Sequence, residues 1–422
     1  MSSARGSGGA EALRRMLREA HQARPEDLPG MAMRAAALLG ATAIVIYLVD
    51  HQQRVLTPLL HGSAPHRTPI DVDGTLPGRA FTLVTPFAGG DCPEGGRWWL
   101  PLLDGTERLG VIEVVTGGAP GDDAPDEYVS VASLLGELVV TRGAYGDGIE
   151  VVRRREPMRL GAEMLRAQLP PLTFSTGHVV ISGMLEPCYD VGGDAFDYAV
   201  NGDTVHLALF DAVGHGSSSG LRAVTLASAA LAAYRNARRG GLDLTATYHH
   251  IDAGVAALER PGLITAVLAE LDQRNGMLRV ISAGHPGGLI VRGGSVVRML
   301  PTPTALPVPL GHRRAPVVAA ECLEPGDRLL LYTDGIIEAR SRDGEEFGLD
   351  RLTDFTVRAT ADGLAAPETA RRLVHAILEH QHGVLQDDAT LLLVEYRGPA
   401  HTPPEPFTTP ASDPLDSPGS AD

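Results

Sequence analysis

The chain has 422 residues, 44% of them hydrophobic, which suits two or three domains with ordinary cores. Its 52 acidic residues outnumber 36 basic ones, and the formal charge of −16 argues against a general nucleic-acid or anionic-membrane surface, since both need a basic footprint. Cys92, Cys188 and Cys322 are too scattered for a disulfide framework or a zinc cluster and point to a reducing, cytoplasmic setting. The opening residues lack an apolar core of signal-peptide length, and no stretch reaches the ~18 apolar residues of a membrane span.

In chain order, Leu13, Met16, Leu17 and Ala20 recur at helical spacing, and a second helix over 28–39 stops at Gly40, a residue suited to a C-cap. Residues 44–49 read as a buried strand, with 55–60 as its partner. A helix starts near 75–81, strands over 98–103 and 109–115 meet at Asp104-Gly105, and a helix over 127–140 closes the unit. This order implies a small α+β domain with about five or six strands. The segments Leu76-Pro77-Gly78-Arg79-Ala80-Phe81, Trp99-Leu100-Pro101-Leu102 and Leu109-Gly110-Val111-Ile112-Glu113-Val114 make residues 9–145 resemble a GAF domain. That resemblance implies a sensory or dimerisation role.

Residues 146–171 read as a connector helix. Leu160, Met164, Leu165 and Leu169 recur at helical spacing, Arg153-Arg154-Arg155 reads as a solvated face, and Pro170-Pro171 ends the helix. A helix between two domains can form a parallel coiled coil, so a homodimer is expected.

The second domain covers 172–397. Helices are expected over 221–237 and 244–258. Hairpin strands follow over 263–271 and 277–283, then 289–291 and 296–300, with further strands at 327–333 and 389–396. Antiparallel hairpins flanked by helices suggest an α/β sandwich. Residues 398–422, rich in Pro, Ser, Thr and Asp, cannot bury a core and are expected to be disordered.

Four acidic positions stand at strand ends: Asp194, Asp211, Asp334 and Asp387, the last with Asp388 beside it. The turn Asn201-Gly202-Asp203 can fold 194–200 onto 205–209 and bring Asp194 near Asp211. Carboxylates held that close repel unless a divalent cation lies between them. Oxygen-only donors select Mg²⁺ or Mn²⁺, and two such ions can lower the pKa of a shared water and aim it at phosphorus.

The motifs Val191-Gly192-Gly193-Asp194, Phe210-Asp211 with Gly214-His215-Gly216, Ser282-Ala283-Gly284-His285-Pro286, Leu331-Tyr332-Thr333-Asp334-Gly335 and Asp387-Asp388-Ala389-Thr390 follow in the order of one family. They resemble the SpoIIE-like branch of the PPM-type metal-dependent serine/threonine phosphatases. The resemblance implies an αββα sandwich holding two Mn²⁺ or Mg²⁺ ions. Asp194 would bind one metal, Asp211 and the carbonyl of Ala212 would bridge, and Asp334 and Asp387, with Asp388 beside it, would hold the second. Thr265 matches a position near the site, and His215 and His285 would be supporting or structural groups. The run Phe210-Asp211-Ala212-Val213 departs from the family's usual Gly-Asp-Val-Ser.

The expected fold class is therefore α+β: a GAF-like α/β domain, a connector helix and an αββα phosphatase domain. The expected partner is a phosphorylated regulatory protein of the anti-sigma-factor antagonist type, with no nucleic acid and no membrane. The alternative, prompted by Ala212-Val213, is a catalytically inactive adaptor with a phosphatase fold.

Overall fold

The computed structural model describes residues 2–60, 67–92, 95–118, 124–190, 192–213, 220–258, 262–301, 304–383, 385 and 387–399. The expectations for His215 and for nearly all of the tail fall outside them. The N-terminal unit begins with α1 (Ser2–Ala20) and α2 (Leu28–Leu38), then β1 (Ala41–Val49), β2 (Val55–Pro58), β3 (Ile70–Asp71) and α3 (Leu76–Leu83). It closes with β4 (Phe87–Cys92), β5 (Gly95–Asp104), β6 (Glu107–Thr116) and α4 (Asp126–Gly143). Its sheet has six strands in the order β3-β2-β1-β6-β5-β4, paired antiparallel. Ile44, Ile46 and Leu48 of β1 pack under α1, α2 and α4, while Val45, Tyr47 and Val49 pack on the other face with Phe81 of α3. The period of two along a strand explains why β1 reads as one continuous apolar run: both its faces are covered.

The connector departs from the single helix expected over 146–171. It consists of α5 (Gly148–Arg153) and α6 (Leu160–Arg166) with a non-helical break between them. Pro157 lies in that break; it lacks an N–H and disfavours helical geometry in the residue before it. Ala162 and Leu165 of α6 are buried in the second domain's core, so this face is already occupied. Arg153 is also not the solvated group expected: its Nε donates to the carbonyl of Val49 at 3.1 Å.

The second domain comprises β7 (Thr173–Ser175), β8 (Val179–Glu186), β9 (Asp194–Asn201), β10 (Thr204–Ala212), α7 (Gly220–Arg239), α8 (Leu244–Ala256), β11 (Ile264–Asp272), β12 (Met277–Ala283), β13 (Leu289–Arg292) and β14 (Ser295–Met299). It continues with β15 (Ala319–Cys322), β16 (Arg328–Tyr332), α9 (Asp334–Ile337), α10 (Gly348–Ala361), α11 (Ala366–His380) and β17 (Ala389–Tyr396). One sheet runs β15-β12-β11-β10-β9 and the other β14-β13-β16-β17-β8-β7. Leu329, Leu331, Leu392 and Val394 point between the sheets, whereas Leu330, Tyr332, Leu391 and Leu393 point toward α10 and α11. Helices α7 and α8 cover the outer face of the five-stranded sheet. The layers are therefore α, β, β, α. At Gly183 of β8 an added Cβ would lie 2.5 Å from the Phe196 ring, so glycine lets the two sheets close there.

The two units touch through a buried ionic cluster. Arg108 at the start of β6 reaches Glu368 of α11 at 3.4 Å and Gln53 at 2.9 Å. Arg371 bonds Glu368 at 2.9 Å and Asp73 of the first unit at 2.6 Å. Helix α11 packs on β8 and β17, the two strands that lead into and out of the candidate site.

Candidate metal centre

The hairpin β9–β10 turns at Gly202, whose φ of 58° is a conformation that glycine adopts without strain. That turn sets the register, and the register makes Asp194 and Asp211 direct cross-strand partners. Asp211 is in turn the partner of Thr265 on β11. The last described residues of β16 lead into Asp334, the first residue of α9, while Asp387 and Asp388 immediately precede β17, the neighbour of β16. An added Cβ on Gly335 would lie 1.9 Å from the carbonyl oxygen of Asp388, so the Asp334-Gly335 turn lies hard against the Asp387-Asp388 backbone.

All five expected aspartates thus come to one end of the two sheets, and their charges act on one another. Asp194 is buried, and burial first, then Asp388 and Asp211, hold its carboxyl well above the usual range. Asp211 is pushed up to about 7 by burial and by the charges of Asp334 and Asp387. Asp334 is raised by burial and by Asp387. Among the described residues, no three His, Cys, Asp or Glu side chains stand close enough together to form a ready chelate. The donor set nevertheless fits a hard divalent cation: it consists of carboxylate oxygens, and in Asp194, Asp211 and Asp334 burial and neighbouring charge disfavour the ionised form that a cation would stabilise.

The side chains around these acids sort their roles. Asp388 is buried and takes the backbone N–H groups of Gly192, Gly193 and Asp194 at 2.7, 2.8 and 3.0 Å. Those three amides restrain a carboxyl that burial still lifts to about 6. Asp387 is exposed, and its Oδ1 takes the N–H of Asp388 at 2.9 Å. Of the adjacent pair, Asp387 has the freer oxygens and Asp388 holds the loop. Ala212 is buried, and its carbonyl lies over Gly193, where an added Cβ would be 2.6 Å from that oxygen.

Two hydroxyls emerge that the sequence reading assigned no role. Thr333 donates to Asp194 Oδ2 at 2.7 Å and accepts from Thr390 N at 3.0 Å, so it orients Asp194 and ties β16 to β17. Its place just before Asp334-Gly335 was the available signal. Thr265 Oγ1 lies 2.6 Å from His285 Nδ1 and 3.3 Å from Asp211 Oδ2. His285 Nε2 faces the carbonyl of Tyr332 at 3.0 Å, and that carbonyl requires the ring proton on Nε2. Burial holds the ring neutral, with a pKa lowered to about 4, so Nδ1 accepts the one Thr265 proton. Asp211 therefore keeps its lone pairs.

Residues 201–397 match the family model described as Stage II sporulation protein E (SpoIIE). That segment contains every acid of the cluster except Asp194, which lies seven positions before it. The chain is 29% identical to Protein IcfG of Synechocystis over 133 residues, 32% of this chain and 20% of IcfG. It thus spans a fifth of that relative's length. Among solved structures it resembles the SiaA-PP2C domain of Pseudomonas aeruginosa, at 24% identity and a TM-score of 0.47, covering 56% of this chain and 94% of that one. It also resembles the RsbU and RsbW domains of a Mycobacterium tuberculosis protein, at 27% identity and a TM-score of 0.46, covering 53% of this chain and 62% of that one.

Proposed function

From the premise that residues 201–397 form a SpoIIE-type, PP2C-like phosphatase domain, we propose that the protein is a metal-dependent phosphoserine/phosphothreonine protein phosphatase. The observation that carries the reading is the gathering of Asp194, Asp211, Asp334, Asp387 and Asp388 at one end of the paired sheets. Asp194, Asp211, Asp334 and Asp387, with the carbonyl of Ala212, would hold two Mn²⁺ or Mg²⁺ ions. When bound, such ions supply Lewis acidity toward phosphoryl oxygens and lower the pKa of the attacking water.

The chain's own residues set the rest. Thr333 fixes the rotamer of Asp194, the Thr265–His285 pair leaves Asp211 free to ligate, and Asp388 holds the 192–194 turn so that Asp194 stands opposite Asp211. The inactive-adaptor reading has less support. Burying several mutually repelling carboxylates is costly, and a site without a cation has no use for that cost. The Phe210-Asp211-Ala212-Val213 departure does not count against metal binding, because the Ala212 carbonyl would be available as a donor whatever its side chain.

We read the N-terminal unit as a GAF-like sensor that acts on the phosphatase domain through α11, and the substrate as a phosphorylated regulatory protein of the anti-sigma-factor antagonist type, in a cytoplasmic partner-switching pathway. Exposed Val151, Leu160 and Met164 on the connector offer apolar surface for a second copy, so the homodimer belongs to this reading too. Among the described residues no helix is long and apolar enough to cross a membrane. The test is phosphate release from phosphoserine, phosphothreonine and phosphotyrosine peptides with Mn²⁺ or Mg²⁺. Release confined to the first two supports the assignment, and release from none of them defeats it.

A further inference from the structure

A cavity of about 260 Å³ lies where the first unit, the connector and the second domain meet. Its polar wall carries His51 from the turn after β1, Glu107 from the start of β6, and Arg153 and Arg166, the last residues of α5 and α6. Its apolar wall is the 169–172 segment with Met184 and Leu185 of β8.

The two guanidiniums are the unusual feature. Arg153 uses only Nε, on the carbonyl of Val49, and Arg166 uses only Nη2, on His51 Nδ1 at 2.7 Å. Neither forms an ion pair with a carboxylate among the described residues; burial first, and then the charge of Arg166, pull the pKa of Arg153 down, against the opposing charges of Glu150, Glu107 and Asp50. The acids nearby are committed elsewhere. Asp50 takes the amides of Arg54 and Val55, Glu150 pairs with His51 Nε2 at 3.0 Å, and Glu107 takes Thr173 N at 2.5 Å. His51 is neutral, with a pKa lowered to about 4 by burial, so its Nδ1 accepts from Arg166 and its Nε2 donates to Glu150, a chain that holds Arg166 in place. Most of the ten guanidinium N–H donors of a pair of arginines thus remain for the cavity.

We propose that this cavity binds a small organic phosphate, with the phosphoryl oxygens between Arg153 and Arg166 and the carbon body against Met184 and Leu185. Planar guanidiniums suit phosphate through paired N–H···O bonds, and an apolar wall opposite two convergent charges is the usual make-up of a small-molecule site. The cavity exceeds the roughly 30 Å³ of a water several-fold, so there is room for more than a bare ion. Arg153 is fastened to the first unit through Val49 and His51, whereas α6 packs on α7 of the phosphatase domain. A bound phosphate would bridge the break between the connector helices and so tie the sensor unit to the phosphatase domain.

The test is isothermal titration of the full chain, in chelator, with glycerol 3-phosphate and separately with inorganic phosphate. Chelator separates this binding from any phosphatase activity, and Asp211→Asn is expected to leave it unchanged. The expected result is saturable binding that weakens at least tenfold in Arg153→Gln and in Arg166→Gln, with Arg153→Lys intermediate and all variants melting cooperatively. Tighter binding of glycerol 3-phosphate identifies an organic phosphate as the ligand; inorganic phosphate binding as tightly or more tightly overturns that assignment. Absence of saturable binding, or binding indifferent to both glutamine variants, overturns the site itself.

Discussion

Asp388 accepts the backbone N–H of Gly193 at 2.8 Å, although 195 positions separate the two residues. One carboxylate thereby fastens the loop that delivers Asp194 to the start of β17, and the phosphatase domain closes on itself at its candidate site. Asp388→Asn removes the charge; its amide oxygen can replace Oδ2, which takes all three N–H groups, but its NH2 then faces the Gly192 N–H that lies 2.8 Å from Oδ1. It is expected to cost about 1–3 kcal/mol of stability, measured by chemical denaturation, and to weaken Mn²⁺ binding through displacement of Asp194. Unchanged stability would mean that the amides find other partners.

Gly335 offers a sharper steric test. Alanine there would place a Cβ 1.9 Å from the Asp388 carbonyl oxygen, a rigid backbone atom, whereas at Gly117 nothing lies within 4 Å. Gly335→Ala is expected to destabilise the fold by about 2–4 kcal/mol and abolish metal-dependent turnover, with Gly117→Ala near neutral in both. Equal effects of the two would contradict the close approach of Asp334 to Asp387.

These contacts also mark where the sequence was legible. The pairing of Asp194 with Asp211 followed from local information alone, because Asn201-Gly202-Asp203 sets a two-sided register. The division of labour between Asp387 and Asp388 could not be read, since both are aspartates and only the fold says which one meets three amides. Strand β8 escaped notice because Ser182 and Gly183 interrupt its apolar run, and Gly183 is there to admit the Phe196 ring. Arg153 looked like part of a solvated face because charge patterning carries no record of the first unit packed beside it, whereas Arg155 is exposed as expected. Pro157 was the available signal of the connector break, but the apolar periodicity of Leu160, Met164, Leu165 and Leu169 after it suggested one helix.

Thr265 and His285 should act through metal affinity. Thr265→Val removes the hydroxyl 3.3 Å from the Asp211 carboxylate and leaves the buried Nδ1 of His285 without its donor, so the ring or Asp211 must shift. It is expected to weaken divalent-ion binding about tenfold, the scale of lost support around metal ligands, while Thr265→Ser restores it. Calorimetric titration reads this directly. Equal affinity of the valine variant would make the hydroxyl a packing feature only.

Glu186 sets a pH dependence away from the acidic cluster. It is fully buried, and burial pushes its carboxyl up to about 7 from a usual 4.5. A raised acid binds its proton more tightly when folded, so its contribution is fully present below the unfolded pKa and is lost as pH rises from about 4.5 through 7. Glu186→Gln, neutral at every pH, is expected to flatten this decline and to gain up to about 3 kcal/mol on wild type between pH 5 and pH 8. Melting curves across that window decide it; parallel curves for the two proteins would show that Glu186 does not titrate there.

The domain contact rests on Glu368, which is buried and holds Arg371, Arg372 and Arg108 at 2.9, 2.6 and 3.4 Å. Glu368→Gln leaves Arg108 enclosed without a carboxylate and is expected to cost about 3–5 kcal/mol in chemical denaturation. A cost below about 1 kcal/mol would mean that the two units do not depend on this cluster for their docking.

If these aspartates hold ions that make the chain a phosphatase, metal binding and turnover must fail together. Titrating Mn²⁺ into wild type and Asp211→Asn and then following phosphoserine-peptide hydrolysis in the same samples tests this. Wild type is expected to bind two ions and release phosphate, with release ended by chelator, and Asp211→Asn to lose binding and at least a hundredfold in rate. Turnover that survives chelator or the Asp211→Asn substitution, or a wild type that binds no ion, would contradict it.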